Sequence, residues 1–475
     1  MVPERLHAVI EATAPLAERF AGAGKQLYLV GGTIRDSLAG RPGGLPPGDD
    51  VDIDVTTDAR PDEIERLVSH GADAVWTQGK RFGTIGASFG GRRIEVTTHR
   101  AEAYDPDSRK PAVVFGDDIE TDLSRRDFTV NSMALRLPDL QMFDPFDGLG
   151  DLAAKRLRTP LSPEVSFSDD PLRMLRAARF VSGYQLVPDE ALTNAAVAMS
   201  ERLSIVSAER IRDELDKLIV LPEPGRGLWF LVRTGLAEHF LPELPALALE
   251  QDPIHRHKDV LAHTIAVVEK TSAGRVPADR ILRLAALFHD VGKPRTRSVG
   301  PDGVSFHHHD VVGARMTRTR MQTLRYPTAE IDQVSRLVEL HLRFHTYKMG
   351  WTDSALRRYA RDAGDLLDRL NELTRCDCTT RNQARAQALS RRMDELEVRL
   401  DELRQREELA AIRPELDGVE VMAALGLSPS RAVGQALDFL LELRLEEGLV
   451  GRDEALKRLH RWWGEKSPAA GDGAD

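Results

Sequence analysis

The stretch VDIDVTT, residues 51–57, most constrains how the first part of this chain can fold. Its alternating apolar residues predict a β-strand, in which side chains two positions apart share a face. Asp52 and Asp54 are therefore expected side by side. Two carboxylates held so close repel each other unless a cation lies between them, and Mg²⁺ does this where phosphates are transferred. The pattern predicts a metal site on a sheet, although an acidic, solvent-facing edge strand is the plainer alternative.

Residues on either side of this strand favour the metal site. The preceding predicted strand, LYLVGG, ends in Gly31 and Gly32, whose backbone can approach a triphosphate without a Cβ clash. Arg35 follows in a short helical piece and can neutralise phosphate charge. Glu95, on the later predicted strand RRIEVTT, can add a third carboxylate, which suits a site for two metal ions. TIGASF is a further predicted strand, and a helix is expected from Pro61 to about Ser69.

The hydrophobic pattern changes at about Asp151. Apolar residues recur at helical spacing beyond this point, which predicts that the rest of the chain is helical. A charged stretch from about Ala386 to Arg413 reads as a long exposed helix or short coiled coil. The chain is thus expected to be an α+β protein, with a small mixed sheet covered by helices on one side and an all-helical remainder.

Composition limits location and partners. No stretch of about 18 apolar residues is present, and the first twenty residues lack the apolar core of a signal peptide. Cys376 and Cys378 are the only cysteines, which fits a reducing compartment and predicts the cytoplasm. The net charge of −10 argues against a strongly nucleic-acid-binding surface overall. The stretch from Asp310 to Lys348 nevertheless holds seven basic against four acidic residues, and it is either a phosphate-binding surface or a solvated helix face.

Three motifs together resemble the class II tRNA nucleotidyltransferase and bacterial poly(A) polymerase family: GGTIRD with DID, then SRRDFTVNSMAL (124–135), then FDPFDGLGDL (143–152). The resemblance implies a nucleotidyltransferase head in which Asp52, Asp54 and Glu95 are catalytic and Asp52 and Asp54 bind Mg²⁺. It also implies a nucleotide-binding set: Gly31, Gly32, Arg35, Arg126, Asp127, Asn131, Asp170, Arg173, Arg176 and Arg179.

The segment SDDPLRMLRAARF is similar to the family's base-reading motif, in which an aspartate and an arginine contact the incoming base. Asp170 and Arg173 match these positions, and their spacing places them on one helix face. A carboxylate accepts from the amino group of cytosine or adenine while a guanidinium donates to the ring nitrogen, whereas uracil and guanine present a carbonyl instead. An ordinary helix ion pair is the alternative. Asp169 stands where the family has glutamate, and Glu209 and Arg210 are expected to brace the helices.

The histidines resemble a second family. The order H…HD…H…H…D is similar to that of the HD phosphohydrolase superfamily, which implies a divalent transition metal held by His263, His289, Asp290, His309, His341 and Asp377. His257, His307, His308 and His345 lack the family positions. The C-x-C of Cys376 and Cys378 is weak evidence for zinc. Phosphohydrolase activity in this domain is a hypothesis.

These resemblances imply a nucleotidyltransferase head (1–150), a helical neck with the base-reading helix (151–235) and an HD-type domain (236–385), followed by a charged helix with a C-terminal helical segment (386–465). The tail (466–475) lacks apolar periodicity and is expected to be disordered. The expected function is template-independent addition of CCA to the tRNA acceptor arm from CTP and ATP, with two Mg²⁺ ions and no membrane partner. The alternatives are a poly(A) polymerase, an enzyme that adds only part of CCA, an HD phosphohydrolase with an RNA-binding head, or an RNA-binding factor without chemistry.

Overall fold

A computed structural model describes residues 4–40, 53–100, 115–249, 259–273, 279–301, 303–346, 351–378, 383–407 and 412–466. Its internal contacts divide the chain into two compact units, Met1–Pro245 and Ala246–Asp475. None of the helices in these described ranges is long and apolar enough to cross a membrane.

The strands of the N-terminal unit are β1 (Leu27–Val30), β2 (Ile53–Thr57), β3 (Ala74–Trp76), β4 (Thr84–Phe89), β5 (Arg92–Thr98), β6 (Ala134–Leu137), β7 (Met142–Phe143), β8 (Arg156–Leu157) and β9 (Val187–Pro188). Its helices are α1 (Glu4–Gly22), α2 (Gly32–Leu38), α3 (Pro61–Ser69), α4 (Ile119–Ser124), α5 (Gly148–Ala153), α6 (Pro163–Asp169), α7 (Leu172–Gly183), α8 (Glu190–Ala198), α9 (Ala208–Ile219), α10 (Gly225–Arg233) and α11 (Leu236–Phe240). The four expected strands and the expected helix at Pro61–Ser69 are confirmed.

Seven strands form one mixed sheet in the order β3-β4-β5-β2-β1-β6-β7. β2 and β5 run parallel, and the other neighbours in the sheet run antiparallel. β8 and β9 form a separate parallel pair. The α+β class expected from the sequence is therefore confirmed.

Alternating side chains give the sheet two different faces. Leu27 and Leu29 point into a large core that is closed by α1, α2 and α3. Tyr28 and Val30 point the other way and pack with Ile119 and Leu123 of α4. The expectation of helices on one side only is therefore wrong, because α4 covers part of the second face beside β1 and β6.

α7 lies at the centre of the helical part of the N-terminal unit, and most of its residues are buried, with α9 and α10 packed against it. α10 approaches α7 closely at Gly227, where a Cβ would overlap the carbonyl oxygen of Ala178. Ser182 of α7 accepts a 2.7 Å hydrogen bond from the Gly227 amide. This packing fixes the helix that bears Arg173, Arg176 and Arg179.

The helices of the C-terminal unit are α12 (Val260–Lys270), α13 (Arg280–Phe288), α14 (Lys293–Thr296), α15 (His309–Thr323), α16 (Thr328–Leu340), α17 (Arg343–Thr346), α18 (Asp353–Ala363), α19 (Leu367–Asp377), α20 (Gln383–Glu407), α21 (Gly418–Leu425), α22 (Arg431–Glu447) and α23 (Arg452–Lys466). A hairpin of β10 (Arg297–Gly300) and β11 (Gly303–Phe306) interrupts them.

Two expectations for the helical region need correction. The region after Asp151 is not purely helical, since it contains the β8–β9 pair and the β10–β11 hairpin. The long charged helix is α20, but it is not an exposed rod, because Met393, Leu396, Leu400 and Leu403 are buried. Their spacing of three or four residues gives α20 one apolar face, which packs into the unit. The expected disordered tail lies outside the described residues, apart from Lys466.

Candidate active site and candidate metal centre

Two of the three predicted catalytic carboxylates are neighbours on the sheet. Asp54 of β2 and Glu95 of β5 are register partners on adjacent parallel strands. Both are exposed, whereas Ile53 and Val55, which flank Asp54, are buried in the core on the opposite face. Asp52 lies outside the described residues. The described carboxylates thus share the face of the sheet that the large core leaves open.

Gly31 provides the turn from β1 into α2 beside these carboxylates. Its backbone has φ 71° and ψ −138°, a conformation that only glycine adopts without strain. A Cβ placed there would lie 3.5 Å from both Asp54 Oδ2 and Arg126 Nη1. Gly32 is the first residue of α2. The glycine pair therefore brings the start of the helix next to one acidic and one basic predicted site residue.

Arg35 is more constrained than the sequence suggested. It is buried in α2, and its guanidinium donates to Asn131 Oδ1 at 2.5 Å and to Asp36 at 2.9 and 3.0 Å. The aromatic ring of Tyr184 stacks against it, with the guanidinium carbon 4.3 Å from the ring centroid. Arg35 therefore supplies positive charge from a fixed position and orients Asn131.

Asp127 lies at the centre of the same network. Its Oδ1 accepts from Asn131 Nδ2 at 2.8 Å and from the Phe128 amide at 2.9 Å, and its Oδ2 accepts from Arg176 at 2.7 and 2.9 Å. Burial on its own would raise the pKa of Asp127, but the charge of Arg176 and these hydrogen bonds lower the pKa to about 2. The carboxylate is therefore charged at neutral pH. It links the motif SRRDFTVNSMAL (124–135), to which it belongs, to Arg176 of α7.

Glu214 of α9 is a site-supporting residue that the sequence did not reveal. Its carboxylate contacts Arg179 at 2.8 Å and Arg176 at 3.4 Å, and the residue is buried. Burial raises the pKa of Glu214, and the two arginines outweigh this and lower it. Nothing in the sequence distinguished Glu214 from the other charged residues of this helix, such as Glu209 five positions earlier.

Arg126 is also held by an acid that sequence reasoning missed. Asp122 of α4 is buried and accepts from Arg126 at 3.1 Å and from Arg125 at 2.8 Å. Burial raises the pKa of Asp122, and the charges of Arg126 and Arg125 outweigh that effect and lower it. The sequence did contain one indication of this pair, because Asp122 and Arg126 are four residues apart and residues at that spacing can lie side by side on a helical turn.

The predicted base-reading pair has a different geometry from the one expected. Asp170 is not on the helix with Arg173, because α6 ends at Asp169 and α7 begins at Leu172. Asp170 Oδ1 instead accepts from the Leu172 amide at 3.1 Å, since the first amides of a helix lack partners within it. Its Oδ2 accepts from Arg210 at 2.8 Å.

The partner of the pair, Arg173, is held separately. It is buried at the start of α7 and donates to Ser166 Oγ at 2.9 Å and to the backbone carbonyl of Arg125 at 2.5 Å. The ordinary ion pair between Asp170 and Arg173 is therefore also the wrong description. The carbonyl contact joins the base-reading segment to the motif that contains Arg126.

The sheet face and its surroundings have the charges that a nucleoside triphosphate and metal ions require. Carboxylates can bind divalent cations, and the guanidinium groups of Arg126, Arg176 and Arg179 remain one-fifth to one-third exposed while anchored by acids. Because those acids hold the arginines in place, little side-chain entropy is lost when a phosphate binds.

In the C-terminal unit, the structure brings all six predicted metal ligands together. His263 Nε2 lies 2.8 Å from Asp377 Oδ1 and 3.4 Å from His289 Nε2. Asp290 Oδ2 lies 3.3 Å from His289 Nε2, and its Oδ1 lies 3.4 Å from His309 Nε2. Residues of α12, α15 and α19 and residues that directly follow α13 and α16 therefore meet at one buried point.

Five of the six ligands form two groups with a common member. His263, His289 and Asp290 have ligand atoms within 4.8 Å of one another, and so do Asp290, His309 and His341. Asp290 belongs to both groups and is 1% exposed on its side chain. A carboxylate shared in this way can bridge two cations, one for each group.

Backbone contacts fix the ring orientation of three histidines. The Nδ1 atoms of His289, His309 and His341 lie 2.8, 2.7 and 2.6 Å from the carbonyl oxygens of the residues three positions earlier. If Nδ1 donates, each Nε2 presents a lone pair to the centre, which is the usual arrangement of a metal-bound histidine. The buried Nε2 atoms of His309 and His341 have no hydrogen-bond partner among the described residues. These donors fit a metal site.

The pKa shifts of His289 and His341 are also consistent with a cation site. Burial would lower the pKa of His289, but Asp290 and Asp377 raise it to about 10, so the carboxylates attract positive charge to this point, and a bound cation would take the place of the proton on His289 Nε2. The pKa of His341 falls to about 4 because of burial and the neighbouring charge of His289, which leaves a neutral imidazole available as a ligand. Gly292 allows this assembly, since a Cβ there would overlap the carbonyl oxygen of His309.

Family profiles match three stretches of the chain. Residues 27–158 match the family described as Poly A polymerase head domain. Residues 187–247 match the family described as "Probable RNA and SrmB- binding site of polymerase A", and residues 260–382 match the HD domain family.

Similar proteins support the same assignment. An A-adding tRNA nucleotidyltransferase of Deinococcus radiodurans is 36% identical over 360 residues, which are 74% of this chain and 81% of the relative. A CCA-adding enzyme of Lactobacillus delbrueckii subsp. bulgaricus is 34% identical over 54% of this chain, and the match spans 61% of that enzyme's length.

Solved structures show the shared fold. The Bacillus stearothermophilus CCA-adding enzyme in complex with CTP has a TM-score of 0.66 at 22% identity and covers 96% of this chain and 98% of its own. The Thermotoga maritima CCA-adding enzyme complexed with tRNA has a TM-score of 0.60 at 17% identity, with 97% of both chains covered.

The carboxylate-bearing sheet and the histidine–aspartate centre define a nucleotidyltransferase that carries an HD domain. The extent of the match to the Deinococcus radiodurans relative makes the family assignment definite. The chain belongs to the family of class II tRNA nucleotidyltransferases and bacterial poly(A) polymerases with a C-terminal HD domain.

Proposed function

We propose that this protein adds CCA to the 3′ end of tRNA without a template, using CTP and ATP and releasing pyrophosphate. The observation that carries the proposal is the pairing of Asp54 with Glu95 on the open sheet face, beside the anchored guanidinium of Arg126. Relatives named as CCA-adding enzymes support it. The proposed location is the cytoplasm, where tRNA and both nucleotides are present.

In the proposed mechanism, Asp52, Asp54 and Glu95 would hold two Mg²⁺ ions. Such ions activate an attacking hydroxyl and stabilise the departing pyrophosphate. The protein's own part is positioning. Arg126 and Arg176, each paired with a buried acid, bind the triphosphate, and Asn131, oriented by Arg35 and Asp127, contacts the sugar.

Base selection is assigned to Asp170 and Arg173. Asp170 accepts from the amino group of cytosine or adenine, and Arg173 donates to the ring nitrogen. Arg210 orients Asp170, while Ser166 and the Arg125 carbonyl orient Arg173. Two separately held groups can read the shared donor–acceptor edge of both bases, and a carbonyl at that edge would face the carboxylate and be rejected.

A narrower activity is the second candidate. The relative that the chain matches over most of its length is named as an A-adding enzyme, which makes addition of the terminal A alone the alternative to complete CCA addition. Both activities use the same base-reading edge, and the distinction depends on which tRNA end is accepted.

One assay separates these candidates. Each labelled NTP is supplied singly with Mg²⁺ to tRNA that ends before CCA, to tRNA that ends in CC, and to an unrelated RNA. CCA addition predicts CTP incorporation only on the first substrate and a single ATP only on the second. ATP use on the second substrate without CTP use on the first would establish A addition instead. Long ATP tracts on the unrelated RNA would establish a poly(A) polymerase and contradict both.

For the C-terminal unit we propose a divalent transition metal centre that hydrolyses phosphate esters. The supporting observation is the pair of ligand groups that share Asp290, together with the Nε2 atoms of His309 and His341, which accept or donate no hydrogen bond within the described part of the chain. The test is hydrolysis of p-nitrophenyl phosphate and of 2′,3′-cyclic AMP with Mn²⁺, Co²⁺ or Ni²⁺. Activity that survives Asp54→Asn but is lost in Asp290→Asn supports the proposal, and activity retained in Asp290→Asn would assign it elsewhere.

A further inference from the structure

A cavity of about 590 Å³ lies along the helix pair α15 and α16. It is formed by the middle of the two helices, so its walls include Arg315, Arg318 and Arg336 with Asp332 and Glu339. The volume falls within the range of roughly 300–1,000 Å³ that is usual for small-molecule sites. It is distinct from the sheet face, which belongs to the other unit, and from the six metal ligands, none of which lines it.

One polar atom in this cavity lacks a partner. Ser335 lines the cavity and is 4% exposed, yet its buried Oγ has no hydrogen-bond partner among the described residues. A helical serine usually bonds back to the carbonyl of the preceding turn, and an unsatisfied buried hydroxyl costs about 1–3 kcal/mol. Most such groups in folded proteins are satisfied by protein or by ordered water. A ligand atom placed at this position could satisfy the Ser335 hydroxyl in the same way.

The charged side chains around Ser335 favour a ligand that is an anion. The guanidinium of Arg336 is held in one position at the side of the cavity, because it donates to the Asp362 carbonyl at 2.9 and 3.1 Å and to Glu339 at 2.7 Å. Arg318 is paired with Asp332 at 2.7 Å, but both side chains are about half exposed, so solvent weakens the pair and the arginine can turn to a ligand.

Arg315 adds a guanidinium with no ion-pair partner in the described part of the chain. Three arginines against two acids leave a net positive cavity, and guanidinium groups match phosphate oxygens in a bidentate geometry.

We propose that this cavity binds the phosphate group of a nucleotide, either a free mononucleotide or one nucleotide of an RNA strand. Arg315 and Arg318 donate to the phosphate oxygens, and Ser335 donates its hydroxyl. The remaining volume accommodates the sugar and base. The proposal stands independently of the CCA-adding function, since it concerns neither the sheet face nor the base-reading pair.

The test compares Arg315→Gln and Ser335→Ala with Arg391→Gln in the full-length protein. Arg391 is an exposed arginine of α20 outside the cavity, so its variant controls for lost charge. Binding of radiolabelled AMP is measured by equilibrium dialysis, and binding of a fluorescein-labelled eight-nucleotide RNA by anisotropy. EDTA is present throughout, so that phosphate held by metal ions does not contribute.

We expect Arg315→Gln and Ser335→Ala each to weaken binding about tenfold, as one charge-assisted or buried hydrogen bond is lost, and Arg391→Gln to bind like the parent. If both cavity variants bind both AMP and the RNA more weakly, a free nucleotide is sufficient to occupy the cavity. If they bind only the RNA more weakly, the occupant is a nucleotide of an RNA strand. The proposal is overturned if both cavity variants bind like Arg391→Gln. It is also overturned if only Arg315→Gln loses affinity, because the effect would then be general surface charge. Ser335→Ala removes an unsatisfied hydroxyl, so its melting temperature should be no lower than the parent's.

Discussion

Asp54 and Glu95 are register partners on neighbouring parallel strands, and both carboxylates lie on the sheet face opposite the core. Adjacent strands are about 4.8 Å apart, which is a distance that one divalent cation can span with a ligand from each strand. Glu95 is 41 positions beyond Asp54 in the chain, so only the parallel pairing of β2 and β5 makes them neighbours.

We therefore expect Glu95→Gln to lower kcat for nucleotide addition by about 100-fold or more, equivalent to about 2.7 kcal/mol of transition-state stabilisation. The KM for Mg²⁺ should rise, because an amide is a weaker cation ligand than a carboxylate. Steady-state rates over a Mg²⁺ titration measure both effects. Glu11→Gln, which removes an exposed acid from α1, is the matched control. A kcat within about twofold of the parent would exclude Glu95 from the reaction.

Asp127→Asn should destabilise the protein in a pH-dependent way. The folded pKa of Asp127 is depressed to about 2, so its charge contributes stability above the unfolded pKa of about 4, and this is lost as pH falls towards 2. At pH 7 the substitution should lower the free energy of unfolding by about 2–4 kcal/mol, since Arg176 loses its closer buried partner and keeps only Glu214 at 3.4 Å. Urea unfolding of both proteins between pH 7 and pH 3 tests this. A difference that stays constant down to the lowest pH would mean that the carboxylate charge does not stabilise the fold.

Asp170→Asn should relax base selection. The amide can donate as well as accept, so uracil's carbonyl no longer faces a carboxylate. We expect the kcat/KM ratio of CTP to UTP to fall by about 100-fold on tRNA ending before CCA, or the ratio of ATP to GTP to fall on tRNA ending in CC. Glu201→Gln, an exposed acid elsewhere in the N-terminal unit, serves as the control. Unchanged ratios with lower overall rates would show that Asp170 only supports the helix.

Asp290→Asn and His341→Ala should differ in metal content. Asp290 belongs to both ligand groups and His341 to one, so the first variant should lose both metal equivalents and the second only one. Purified proteins are loaded with Mn²⁺ or Ni²⁺, desalted and analysed by elemental mass spectrometry. Loading should also raise the melting temperature of the parent and not that of Asp290→Asn. A single equivalent in the parent would contradict the arrangement of two metal ions.

The two cysteines should react at very different rates. Burial and the neighbouring Glu372 raise the pKa of the Cys376 thiol to about 12, whereas Cys378 is partly exposed. Because the thiolate is the reactive form, iodoacetamide at pH 8 should modify one thiol per chain, at Cys378. Cys378→Ser should then remain unlabelled under native conditions, as shown by intact mass. Rapid labelling of that variant would mean that Cys376 is accessible.

The local sequence was sufficient to predict several elements. The strands from 27 to 30 and 53 to 57 were predictable because alternation and flanking glycines are local properties, and so was the helix Pro61–Ser69. The order of histidines and aspartates likewise identified six residues that the structure brings together, five in the two ligand groups and Asp377 through its contact with His263.

The sequence alone misplaced features that depend on packing. It put Asp170 on a helix with Arg173, but Asp170 is extended, as the following Pro171 favours, and its carboxylate accepts from the first amide of the next helix and pairs with Arg210, forty residues later. It described α20 as a long exposed helix or a short coiled coil, since leucines at wide spacing do not reveal what covers them. It missed Asp122 and Glu214, whose importance comes only from burial beside arginines.

The sequence by itself determined which chemical groups this protein has and the family to which it belongs, because motifs and periodicity are encoded in short stretches. Only the tertiary structure decided which groups are neighbours, as in the pairing of Asp54 with Glu95 and the sharing of Asp290 between two ligand groups. The physical reason is that metal binding, pKa shifts and buried ion pairs depend on distances of a few ångströms between atoms far apart in the chain, and packing fixes these distances.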